Sequence, residues 1–128
     1  IVGDRFVFQS EVLFSSGSAE LEVLGKAQLT HLANILQGIS KNIPSKINWI
    51  LRVDGHTDRI PIHNFKFASN WELSTSRAIS VVKFLQEQSI PANRLAAAGF
   101  GEYQPLDARD DEIAYRRNRR IELKFDQR

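Results

Sequence analysis

A chain of 128 residues with a formal net charge of +2, 42% hydrophobic and 25% charged residues has the composition of an ordinary globular domain. That length suits a single domain burying roughly two thirds of its unfolded surface. Cysteine is absent, which excludes disulfides, zinc–thiolate centres and thiol catalysis, and no apolar run approaches the ~20 residues of a membrane-spanning helix.

The sequence opens Ile1-Val2-Gly3 with neither an initiator Met nor a signal peptide, as a fragment or processed piece of a longer protein would. Phe6, Phe8, Val12 and Phe14 keep the two-residue spacing of a strand with one buried face, and polar Gln9-Ser10-Glu11 marks a bend or bulge inside the run. From Ser18 the period changes. Leu21, Leu24, Leu32, Ile35, Leu36 and Ile39 form a helical stripe, with Ser18 as N-cap, Glu20 and Glu22 at the positive end of the dipole, and Gly38 and Pro44 at its close.

Ile47, Trp49, Leu51 and Val53 alternate again. Ile50 on the otherwise polar side predicts a central strand covered on more than one side and ended by Gly55. Residues 59–68 read as a loop. Ser69-Asn70-Trp71-Glu72 is a capping box opening a second long helix, whose core face takes Trp71, Ser74, Ala78, Val81, Val82 and Leu85. A small-residue strand in RLAAAGFGE follows, then a short helix within DARDDEIAYR. In the last strand Ile121, Leu123 and Phe125 alternate with charged residues. The order β-α-β-α-β-(short α)-β predicts one α+β domain over residues 1–128, a two-layer sandwich with helices packed on a small mixed sheet.

His56, Asp58 and His63 give an H-x-D-x4-H set of possible metal ligands, but the spacing matches no standard metal motif, and no metal or cofactor is expected. Gly-x-Ser-x-Gly, His-Glu-x-x-His and Gly-rich phosphate-loop motifs are all missing from the sequence, so an enzyme is not expected either. RRNRR, Arg116 to Arg120, offers charge for phosphates, yet Asp107, Asp110, Asp111 and Glu112 lie just upstream. Paired or solvated arginines are the expectation there, rather than nucleic-acid binding.

A different pairing is more informative. Asn70, Leu73, Arg77 and Phe84 share a narrow arc on the flank of the second long helix, with Asn70 and Arg77 two turns apart. This helix begins about ten residues after Gly-His-Thr-Asp in the same β-loop-α unit, so Asp58 can come near Arg77. One carboxylate and one guanidinium across a pocket suit a zwitterion. A plain Asp58–Arg77 salt bridge is the equally good alternative.

LFSSGSAEL, VDGHTDRIPI, NWELSTSRA, AAAGFGEYQP and NRRIEL, in this order, resemble the OmpA-like peptidoglycan-binding domain over about residues 10–125. The long insertion between Gly-His-Thr-Asp and Asn-Trp-Glu-Leu-Ser is similar to the MotB type, the flagellar stator subunit. The resemblance implies non-catalytic binding of the diaminopimelate of the peptidoglycan stem peptide, which anchors an envelope protein to the wall from the periplasm of a Gram-negative-type envelope. It implies Asp58 and Arg77 as principal contacts, Thr57, Asn70 and Leu73 as supporting positions, and Arg119 as a further groove residue. A homodimer and a membrane channel subunit, reached through an N-terminal helix, are its implied partners. Two departures stand out. Ser15 replaces an Asp common in relatives, and Ala114-Tyr115 replaces their Gly-Arg, leaving open whether Arg116 or Arg117 substitutes. A protein–protein or polyanion interaction module using Arg116 to Arg120 is the alternative function. The 59–68 loop is a candidate gate.

Overall fold

The computed structural model describes residues 5–128. Its elements run β1 (Arg5–Gln9), α1 (Ser10–Leu13), α2 (Val23–Ser40), β2 (Trp49–His56), α3 (Asn70–Glu87), β3 (Leu95–Gly99), α4 (Glu112–Asn118) and β4 (Arg120–Gln127), with a 3-10 turn at Ala92–Arg94. The strands form one mixed sheet in the order β1-β4-β2-β3. Strand β2 is parallel to β3 and antiparallel to β4, and β4 is antiparallel to β1. The parallel β2–β3 pair needs a crossover, which α3 supplies. This is the α+β sandwich the alternation predicts, and β2 is central as Ile50 implies.

Leu51 and Val53 of β2 and Ile121 and Leu123 of β4 pack with Leu29, Leu32 and Leu36 of α2 and Ala78, Val81 and Leu85 of α3 in one core, closed by Leu13 and Phe14. The helix α3 lies on β2 at backbone contact. A Cβ at Gly55 would stand 2.1 Å from the Ser74 carbonyl oxygen, so only glycine fits. The close approach fixes the first turns of α3 against the loop that leaves β2. Gly55 therefore does not end the strand, which runs on to His56.

Several local expectations are corrected. The first apolar run leaves the sheet after Gln9 and turns through α1, which exposes Val12 while Phe14 returns to bridge Leu21. Helix α2 starts at Val23 after Glu22, and the Ser18 hydroxyl instead accepts the Glu20 N–H in the preceding turn. The core face of α2 is Gly25, Leu29, Leu32, Ala33 and Leu36, leaving Leu24, Ile35 and Ile39 outside. Gly25 sets that rotation, because a Cβ there would lie 2.8 Å from Leu13 Cα. Helix α2 also continues through Gly38 to Ser40.

Ser69 caps α3 by accepting the Trp71 N–H, and its hydroxyl donates to the Glu72 carboxylate, so the glutamate reaches the serine side chain instead of its backbone. Trp71 is not in the core: it is half exposed and stacks on Tyr103, 5.0 Å between ring centroids. Phe84, placed on the flank by the helical arc, belongs to the core.

The polar side of the sheet is unusual. Asp54 and Glu122 stand opposite one another across β2 and β4, and both are buried. Like charges so placed destabilise a sheet. Guanidiniums compensate: Arg52 chelates Asp54, while Arg5 and Arg120 hold Glu122. His56 lies beside this cluster, stacked on Phe100 at 4.8 Å.

Candidate binding pocket

Beyond His56 the chain leaves β2 over the N-terminal end of α3, and this junction opens into a cavity of about 520 Å³. Thr57 is held there by its N–H to the Gly101 carbonyl, and Gly101 in turn donates to the Ser74 hydroxyl. The buried Asn70 amide donates to the carbonyls of Asp58 and Ile60, tying the loop to the first turn of α3. Asp58 Oδ1 accepts the Ile60 N–H at 3.0 Å. Its Oδ2 accepts Arg119 Nη1 at 2.7 Å.

Arg77 enters from the other wall and is only 5% exposed. Its Nε donates to the Ser18 carbonyl at 2.8 Å and its Nη2 to the Ser15 carbonyl at 3.3 Å, while the guanidinium lies over the Phe14 ring. Among the described residues no carboxylate lies within 4.0 Å of it, and its Nη1 makes no hydrogen bond. Burial, with the nearby Arg119 charge, lowers the Arg77 pKa to about 10, against the opposing pull of Asp58 and Glu11. The simple Asp58–Arg77 salt bridge is thus not formed. Asp58 pairs with Arg119 instead.

All six residues singled out from the sequence, Thr57, Asp58, Asn70, Leu73, Arg77 and Arg119, line this one cavity. Sequence reasoning misses others. Glu11 from α1 and Glu112 from the first turn of α4 also line it, while Ile60, Pro61 and Ile62 line it from the candidate gate, the 59–68 loop. Arg119 joins three carboxylates from a loop and two helices: Asp58, Glu112 Oε1 at 2.9 Å, and Glu11 Oε2 at 3.6 Å. Burial works against its charge, but the hydrogen bonds to Glu112 and Asp58 prevail and its pKa is raised.

Ser15 contributes its carbonyl, while Glu11 and Glu112 bring acid to the cavity from other elements. Of the two candidates to replace the displaced arginine, Arg116 lines the cavity, whereas Arg117 pairs with Asp107 outside it. The RRNRR run is internally neutralised: Arg116 meets Glu11, and Arg120 meets Glu122. Between them, Asn118 is buried and staples the preceding loop, accepting the N–H groups of Leu106 and Asp107 and donating to the Asp107 carbonyl.

The metal set does not assemble. His63 Nδ1 lies 3.2 Å from the Ala68 carbonyl within its own loop, and His56 lies on the sheet face. Among the described residues the trio whose ligand atoms come within 4.8 Å of one another is Asp54, His56 and Glu122. Arg5, Arg52 and Arg120 already occupy those carboxylates, and three cations around the trio oppose a fourth.

Residues 13–119 match the OmpA family. The chain belongs to that family. It is 32% identical to motility protein B of Bacillus subtilis over 122 residues, covering 94% of this chain and 44% of the relative. The chain spans a little under half the length of the curated relatives it matches first, 47% and 44%. The periplasmic domain of Helicobacter pylori MotB superposes with a TM-score of 0.83 at 25% identity, covering 96% of this chain and 75% of that one. A cell wall anchor of the type VI secretion system from Pseudomonas aeruginosa gives 0.80 at 28% identity over 93% and 78%. This OmpA-family domain is of the MotB type. Among its described residues no helix is long and apolar enough to cross a membrane.

Proposed function

We propose that this domain binds peptidoglycan without catalysis, through the diaminopimelate of the stem peptide, and so anchors a longer envelope protein to the cell wall. The carrying observation is the charge layout of the pocket. At one wall Arg77 is a buried cation held only by carbonyl oxygens. At the other, three carboxylates (Glu11, Asp58, Glu112) meet two guanidiniums (Arg116, Arg119), which leaves one net negative charge.

A ligand that satisfies both walls carries an ammonium and a carboxylate close together, and the free end of diaminopimelate does so on one carbon. Its carboxylate faces Arg77, where Nη1 is available, and its ammonium faces Asp58. Thr57, Asn70 and Leu73 shape the space between, and Ile60, Pro61 and Ile62 line it. The Pseudomonas aeruginosa neighbour, described as a cell wall anchor, supports this reading. The domain then faces the wall from the periplasm, and a stator role, dimerisation and a channel partner belong to the longer protein.

The test is co-sedimentation with purified diaminopimelate-type sacculi. Wild type pellets, and folded Asp58→Ala and Arg77→Ala lose about 2–5 kcal/mol of binding each, the cost of leaving one buried charge unpartnered. A folded wild type that remains in the supernatant refutes the proposal.

A further inference from the structure

We infer that Glu11 and Glu112 are positioning residues of this pocket, which hold Arg119 from its far side so that Asp58 keeps capacity for a ligand cation. The inference rests on the peptidoglycan reading above. Arg119 lies 2.7 Å from Asp58, the distance of a full charge-assisted hydrogen bond, and left to itself would neutralise the acid that is to receive an ammonium. It is not left to itself.

Glu112 accepts its Nη2 at 2.9 Å and Glu11 flanks its Nε at 3.6 Å, so one guanidinium is divided among three acids. Glu11 also draws Arg116 to 3.5 Å, keeping a second cation off Asp58. A carboxylate has about four acceptor sites, and Asp58 uses one on each oxygen, for Arg119 and for the Ile60 N–H. An ammonium can therefore be added without removing Arg119, provided the surrounding field is negative.

Glu11 and Glu112 supply that sign. Replacing both by Gln turns the wall from one net negative charge to one net positive, with Arg116 and Arg119 then facing Asp58 alone. Neither glutamate needs to touch the ligand. Both act through Arg119, and their exposed positions mean that the substitution leaves the core as it is.

The readout is a selectivity ratio: affinity for the tripeptide L-Ala-D-Glu-meso-diaminopimelate against the same tripeptide with the free diaminopimelate amine acetylated. Both are measured by calorimetry on the whole domain. Wild type prefers the free amine. In E11Q/E112Q, shown folded by circular dichroism, the ratio falls at least tenfold. Adding R119Q to that pair removes the surplus cation and restores most of it. An unchanged ratio in E11Q/E112Q, or no recovery with R119Q, overturns the inference while leaving the peptidoglycan reading in place. A wild type that binds neither probe overturns both.

Discussion

Arg119 holds the Asp58 carboxylate at 2.7 Å although the two lie 61 positions apart in the chain. Arg77, much nearer to Asp58 in sequence and in the same β-loop-α unit, is held by carbonyl oxygens instead. The anionic and cationic walls of the pocket are therefore built separately, and each can be tested by itself.

Arg77→Lys tests the cationic wall. Lysine keeps the charge but cannot serve two carbonyls with a planar fork and also stack on Phe14. The carbonyls of Ser15 and Ser18 lose a charged donor, so unfolding free energy falls by about 1–3 kcal/mol. Sacculus binding also falls at least tenfold. Urea denaturation and co-sedimentation measure the two losses, and full binding by a folded lysine variant would contradict the assigned role.

Gly55→Ala and Gly38→Ala should move stability in opposite directions. At Gly55 the added carbon collides with the Ser74 carbonyl, and α3 must lift from β2; a loss of about 3 kcal/mol or more is expected, as for severe overpacking. At Gly38 nothing lies within 4 Å, and the position is inside α2, so alanine gains about 0.5–1 kcal/mol. Denaturation midpoints of the two variants decide both.

Acid should weaken the fold through His56. Burial, with the Arg120 charge next, lowers its pKa to about 4 from an ordinary 6.5. The unfolded chain takes up that proton as pH falls through 6.5 and the folded one does not, so stability is complete above 6.5 and declines toward 4. Between pH 7.5 and 5 the expected loss is on the order of 1–2 kcal/mol. Burial opposes the charge of Glu122, but Arg120 and Arg5 prevail and hold its pKa below the usual carboxylate range, which adds a further loss at lower pH. His56→Phe, which keeps a ring against Phe100, should flatten the decline between pH 6.5 and 5; an unaltered slope would assign it to other groups.

Asn118→Ala removes three hydrogen bonds to residues 106 and 107. A loss of about 1–3 kcal/mol is expected from the unpaired backbone groups. Faster proteolysis between Gly101 and Glu112 than elsewhere would locate the damage in that loop.

The pocket is legible in the sequence where it is local. Asn70, Leu73 and Arg77 follow from helical spacing and Asp58 from its place just after a strand, while Thr57 and Arg119 come only from the resemblance to the OmpA-like domain. The meeting of Arg119 with Asp58 is not legible, because strand order and not sequence distance brings β4 beside β2. Glu11 is hidden in a run whose spacing imitates a strand, since α1 is a single turn and too short to show a period. Apolar periodicity puts Trp71 in the core because it cannot tell a core partner from Tyr103 at the surface. The buried charges of Arg120 and Glu122 sit at alternating polar positions that read as solvent-facing, and their pairing with each other, with Arg5 also on Glu122, lets them stay buried.

The sheet order has a mechanical side. Strand β1 is antiparallel to β4, and β4 to β2, so β1 and β2 run the same way, from Arg5, level with Lys124 and Arg52, toward the pocket beyond His56. Tension between those two points runs along the strands, across ladders whose hydrogen bonds are perpendicular to the pull. The load is then shared by many bonds in shear rather than breaking them one at a time, which suits a tether.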